Sequence, residues 1–160
     1  MNCSHVNFFS ALFHDLPEVL TRDIVSPIKK SVKDLDEIIL EYENNQLENK
    51  LYPLLSEDMK EEIKYFITEQ FKSRIIIGND IQYIDSKTLY EKYNENKYDG
   101  IDGELINSFD QFAAFLEASL TLKHGIYDEK LEDGKKSIKD NYGDKTLAGA
   151  NFKIYYDFFN

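Results

Sequence analysis

Cysteine occurs once in the 160 residues, at Cys3, so no internal disulfide can form. Small secreted domains commonly need several such bridges, and a reducing, cytoplasmic compartment is the expectation. Basic residues are also scarce, with 19 Lys and Arg against 30 Asp and Glu and a formal charge of −11. That field repels phosphate backbones and anionic membranes, which argues against a nucleic-acid polymer or a membrane surface as partner. A small phosphorylated substrate is repelled at long range too, so binding one requires a local cation or metal that inverts the field. No apolar run approaches the roughly 20 residues of a membrane span. Met1 to Leu20 lacks a basic leader and carries His5, His14, Asp15 and Glu18, so it does not read as a signal peptide. Internal repeats and low-complexity tracts are missing as well.

What is present is ample core material: 42% hydrophobic residues, including 11 Tyr and 11 Phe with no Trp. A chain of this length buries one core, so residues 1–160 read as a single domain. Val6 to Phe13 is apolar nearly all round and predicts a helix buried on most sides, stopped near Asp15 by Pro17. Asp23 to Lys29, with Pro27, reads as a loop. Val32, Leu35, Ile38, Ile39 and Tyr42 have helical spacing and predict an amphipathic helix over 31–49, interrupted by Pro53. Ser56 then reads as the N-cap of a helix using Met59, Ile63, Phe66, Ile67 and Phe71. Ile75 to Tyr83 is β-branched, but a lone strand lacks a partner in a helical pattern, so a loop or short helix is expected there.

The segment 94–103 is the most loop-like in the chain. A further helix is expected from a cap at Asn107 or Ser108 to Gly125, with Phe109, Phe112, Leu116 and Leu120 on its apolar face and a neighbouring stripe of Asp110, Ala113, Ala114 and Glu117. A charged helix over 128–139, a turn at Tyr142–Asp144 and an aromatic end, Phe152 to Phe159, complete the chain. The pattern is all-α. Its acidic runs, Asp34 to Glu43 and Asp128 to Asp133, lack the glycine and spacing of a calcium loop and read as solvated helix faces.

Of the three histidines only His14 has acidic company. Imidazole with carboxylate suits a divalent transition cation, and His14 with Asp15 can flank one at a helix end, with Glu18 facing the same place if the turn at Pro17 keeps it close. A His-Asp dipeptide alone is a weak signal. The competing reading is a partly buried core histidine beside a solvated or capping aspartate.

The segment Ala11-Leu-Phe-His-Asp-Leu-Pro-Glu-Val-Leu-Thr-Arg-Asp-Ile-Val-Ser-Pro-Ile-Lys29 resembles the HD-domain phosphohydrolases, and most of all their bacterial 5′-deoxynucleotidase branch. That branch has an apolar helix, His-Asp, a Glu three residues after the Asp, Leu-Thr, an Asp and Pro-x-Lys. Ser108-Phe-Asp-Gln-Phe-Ala-Ala-Phe-Leu-Glu117 is similar to the late helix that bears the family's final metal-binding aspartate, matched here by Asp110. The resemblance is strongest over 6–30 and 105–125.

What the resemblance implies is an all-α HD-domain helical bundle, N-terminally truncated, that hydrolyses a small phosphomonoester, a nucleoside or deoxynucleoside 5′-monophosphate. It assigns His14, Asp15 and Asp110 to one divalent ion (Mn, Co, Fe, Ni, Zn or Mg), Glu18 to positioning or deprotonating water, Asp23 to the substrate sugar or to support of the site, and Lys29 to phosphate. The family pattern starts with a histidine on a preceding helix, an element this sequence does not show before Met1. His5 lies nine residues before His14, about 13.5 Å of rise and the opposite helix face, so it cannot share an ion with His14. His124 reads as a favourable charge at a helix C-terminus. Two other expectations compete: a non-catalytic helical module that binds a partner or forms a homo-oligomer through an exposed apolar face, and an HD hydrolase of nucleoside triphosphates or signalling nucleotides, which would need more basic residues than Arg22, Lys29 and Lys30.

Overall fold

The computed structural model describes residues 5–21 and 35–159. It is predominantly helical, with two short hairpins, and divides into one compact unit at Val6–Gln70 and another that joins His5 to Phe71–Asn160. This is the all-α class expected. Among the described residues no helix is long and apolar enough to cross a membrane.

The first unit contains α1 (His5–Phe13, of which His5 groups with the other unit), α2 (Leu16–Thr21), α3 (Leu35–Gln46), a wide π turn (Leu47–Leu51), a 3-10 turn (Tyr52–Leu54) and α4 (Glu57–Ile67). α1 ends where expected, and Pro17 sits in the first turn of α2, where its missing N–H costs nothing. Only Val6 and Ser10 of α1 are buried, so the expectation of burial on most sides is corrected. The helix is fixed by that one side: Ser10 Oγ donates to the Phe66 carbonyl at 2.8 Å, and the rings of Phe9 and Phe13 stack on Phe66 with centroids 5.9 and 6.3 Å away. The apolar face expected on α3 is only partly covered, with Leu35 and Ile39 half-buried and Ile38 and Tyr42 more than half exposed. Val32 and the 23–29 loop lie outside the described residues. Ser56 caps α4 by accepting from Met59 N, as expected. Lys64 of α4 donates to Glu48 Oε1 at 2.9 Å and covers the buried Tyr52 ring, and this hydrogen bond holds the Glu48 carboxyl below its ordinary range.

The second unit opens with a hairpin, β1 (Arg74–Ile77) and β2 (Asp80–Tyr83), in antiparallel register Arg74 with Tyr83 and Ile77 with Asp80. The expected loop or short helix is therefore wrong. Gly78 takes φ +65° at the first turn position, the place a type II′ turn requires it, and so supplies the partner strand the sequence reading had not found. α5 (Ser86–Lys92) follows, capped by Asp85, and then a 3-10 turn (Asn96–Tyr98). The loop-like 94–103 segment is anchored by Ile101, buried and bridged to Arg74 through two backbone hydrogen bonds of 2.9 Å.

α6 (Gly103–Lys123) starts earlier than expected. Its cap is Asp102, not Asn107 or Ser108. This carboxylate is buried and accepts from Leu105 N at 3.1 Å, Ser73 Oγ at 3.1 Å and Ser86 Oγ at 2.6 Å, tying the hairpin and α5 to the helix start. The buried face of α6 also differs: Leu105, Ser108, Phe115 and Ser119 go inside while Phe109 and Leu120 are exposed, as are Ala113 and Ala114. Ser108 and Ser119 tolerate burial because each donates to a carbonyl one turn back, Glu104 O and Phe115 O. The charged α7 (Glu129–Tyr142), capped by Asp128, packs along α6. A small hairpin, β3 (Thr146–Leu147) with β4 (Ala150–Asn151), then leads to α8 (Phe152–Phe158), whose Phe152 and Tyr156 are fully buried against Leu105 and Phe115. Of the terminal aromatics Phe152 and Tyr156 thus supply core, while Tyr155 and Phe158 are exposed.

Candidate functional site

His14 and Asp15 form the turn between α1 and α2, at the end of the helix that Ser10 and the Phe9–Phe13–Phe66 stack hold in place. The His14 side chain is 18% exposed, and Nδ1 lies 2.8 Å from the Ala11 carbonyl. A carbonyl only accepts, so Nδ1 carries a proton and donates it there. In the neutral ring that leaves the lone pair on Nε2, the tautomer in which a metal-binding histidine is usually held by a backbone carbonyl.

Nε2 in turn stands 3.2 Å from Asp15 Oδ2. At this distance the two atoms form an ion pair when the ring carries a second proton, and can flank one cation when it does not. Two donors bound at 2.0–2.2 Å and at right angles about one ion sit about 2.8–3.1 Å apart, and in tetrahedral disposition about 3.3–3.6 Å. The pair therefore fits as two neighbouring ligands of one divalent ion, and equally as a His–Asp ion pair. Glu18, half-buried in the first turn of α2, is held near by its own N–H, which donates to the Asp15 carbonyl at 3.0 Å.

The other expected site residues fall elsewhere. Asp110 lies on α6 in the second unit, half-buried, and accepts from Gln111 Nε2 at 3.3 Å. Asp23 and Lys29, with Arg22 and Lys30, lie outside the described residues. His5 and His124 are exposed, and His124 is the C-cap residue of α6. Within neither unit do three or more His, Cys, Asp or Glu side chains among the described residues gather closely enough to hold a metal ion.

The sequence reading did not foresee an open cleft of about 600 Å³ in the second unit, lined by Lys72, Ser73, Tyr83, Asp85, Thr88 and Glu104. Two of its lining residues, Ser73 and Glu104, are joined by a hydrogen bond from Glu104 N to Ser73 Oγ at 3.2 Å, a meeting of residues about thirty positions apart that no local pattern announces. Asp85 spends both oxygens on Thr88, and these bonds hold its carboxyl below the ordinary range.

The described residues thus form a helical protein with a His-Asp pair at a helix end, its imidazole oriented by a carbonyl. The sequence pattern of the HD domain matches residues 3–139, and the chain belongs to the HD-domain family. That family consists in general of metal-dependent phosphohydrolases, and its members typically bind divalent metals. Searches of curated proteins and of solved structures found no match.

Proposed function

We propose that this chain is a metal-dependent phosphohydrolase that removes phosphate from a small phosphomonoester, a nucleoside or deoxynucleoside 5′-monophosphate. The observation that carries the reading is the His14–Asp15 pair, whose donor atoms stand 3.2 Å apart with the imidazole oriented from behind by Ala11. His14 and Asp15 hold the ion together with Asp110, whose inclusion rests on the sequence resemblance alone. A divalent cation there supplies Lewis acidity toward a phosphoryl oxygen and makes water a better nucleophile near neutral pH.

The chain's own residues do the rest. Glu18 receives the proton that water loses as its oxygen forms the new bond to phosphorus, and returns it to the ester oxygen as the old phosphorus–oxygen bond breaks. Its tie to the Asp15 carbonyl keeps it within one turn of the pair. Asp23 orients the sugar and Lys29 meets the phosphate, both on the resemblance alone.

The experiment is metal analysis of the purified chain, followed by phosphate release from nucleoside mono-, di- and triphosphates with added Mn or Co. Monophosphate-selective release that falls at least about a hundredfold in His14→Ala and Asp15→Ala supports the reading. Selective cleavage of triphosphates would replace the substrate class, and a chain that neither binds metal nor releases phosphate would overturn the enzyme reading.

A further inference from the structure

We propose that the cleft of the second unit binds a small primary ammonium ion carried on an apolar body, with the Glu104 carboxylate taking the ammonium and the Tyr83 and Phe71 rings the body. Every residue that lines this cleft lies between Phe71 and Glu104, so the site is built within one unit. Its volume of about 600 Å³ falls inside the roughly 300–1,000 Å³ of small-molecule sites.

The scaffold is fixed before a ligand arrives. Ser73 is buried and joins the segments that form the walls. Its hydroxyl donates to Asp102 Oδ1 at 3.1 Å and accepts from Glu104 N at 3.2 Å, while its carbonyl accepts from Ile84 N at 3.0 Å. Two carboxylates stand beside this join, and they are not equivalent. Asp85 commits both oxygens to Thr88. Glu104 commits only Oε1, to Ser86 N at 3.2 Å, and its exposed side chain leaves Oε2 open to a donor from outside.

Charge sets the sign of that donor. The buried Arg74 offsets the buried Asp102, which leaves Asp85 and Glu104 against Lys72 along the cleft, in a chain of net charge −11. An anion is repelled here and a cation drawn in. The chain itself seats a cation at this place: the Lys72 ammonium stands over the Tyr83 ring, 5.6 Å from its centroid. Arg74 Nη1 donates to the Lys72 carbonyl at 3.0 Å and roots that residue, so its long side chain is a tethered occupant with which an incoming ammonium contends. The cleft is open and Glu104 is exposed, so the complex is weak and exchanges quickly. This inference does not depend on the phosphohydrolase reading.

Titration of the full chain with 2-phenylethylamine, followed through its amide chemical shifts, tests it. The amides of Ser73, Ile84, Thr88 and Glu104 should shift saturably, and the neutral 2-phenylethanol and the anionic 3-phenylpropionate should produce no saturable shift there. Glu104→Gln, which keeps an acceptor for Ser86 N, and Tyr83→Leu should each raise the dissociation constant at least about threefold, with melting curves showing that both variants fold. Lys72→Met should lower it, because the tethered competitor is gone; for an anionic ligand the same change would raise it. Glu117→Gln removes an equal charge thirteen residues further along α6, about 19.5 Å away, and should leave binding unchanged. Absence of saturable shifts at the cleft amides, equal binding of the carboxylate, an affinity indifferent to Glu104→Gln or as sensitive to Glu117→Gln, or weaker binding by Lys72→Met would overturn the proposal.

Discussion

Asp102 and Gly103 act as a couple. The carboxylate of Asp102 gathers three donors only because α6 begins hard against the preceding chain: a Cβ added at Gly103 would meet backbone atoms of Phe71 and Lys72 at 2.4–2.6 Å. Since those neighbours are main chain, they cannot swing aside. Gly103→Ala should cost about 1–3 kcal/mol in a denaturant titration, and an unchanged midpoint would show that the backbone yields freely. Tyr156 offers the opposite case. Its ring is fully buried, its hydroxyl has no hydrogen-bond partner among the described residues, and burial pushes the phenol from 10.0 up to about 12. Above pH 10 the unfolded chain gives up this proton while the folded chain keeps it. Stability from this group is therefore complete below pH 10 and is lost as pH rises toward 12, at most about 1.4 kcal/mol per pH unit. Tyr156→Phe should leave the melting temperature at neutral pH unchanged or higher and flatten its decline above pH 10; a large loss at neutral pH would mean the hydroxyl has a partner. Such residues were hard to read in advance. Ser108 and Ser119 look like surface positions until their hydroxyls are seen to bond their own helix, and their burial turned the α6 face away from the expected Phe109 and Leu120.

At the scale of elements, caps and breaks were legible because they are local: Ser56 before α4, Asp128 before α7, and Pro17 after the His-Asp turn all act within one helical turn. The β1–β2 hairpin is hidden by its brevity: Ile75 to Tyr83 looks like one lone strand unless Gly78-Asn79 is taken as a turn that folds its second half back as partner. The β3–β4 hairpin turns on Ala148 at φ +48° and Gly149 at φ +81°, the two left-handed positions of a type I′ turn. Gly149 suits its place; Ala148 carries a Cβ in a conformation L-residues avoid. Asparagine adopts that region more readily, so Ala148→Asn should raise stability by up to about 1 kcal/mol, read as a higher melting temperature. A fall would show that the local turn preference is outweighed by the contact Ala148 makes with the core around Phe152.

For the whole molecule, what could be read was the family and its dipeptide, and what could not was how distant parts of the chain combine. His14 and Asp15 belong to one compact unit and Asp110 to the other, with nearly a hundred residues between them, so no periodicity or spacing bears on whether they serve one ion. Linkage does. A ligand that binds only the folded chain stabilises it by about 2.7 kcal/mol at a hundred times its dissociation constant, several degrees in melting temperature for a chain of this size. Titrating Mn into the wild-type chain should therefore raise the unfolding temperature, and EDTA should reverse the rise. If one ion is shared, His14→Ala and Asp110→Ala should each abolish the shift, although the two side chains stand in different units. Should His14→Ala abolish it while Asp110→Ala leaves it intact, the ion is held by the His14–Asp15 end alone, and Asp110 leaves the ligand set.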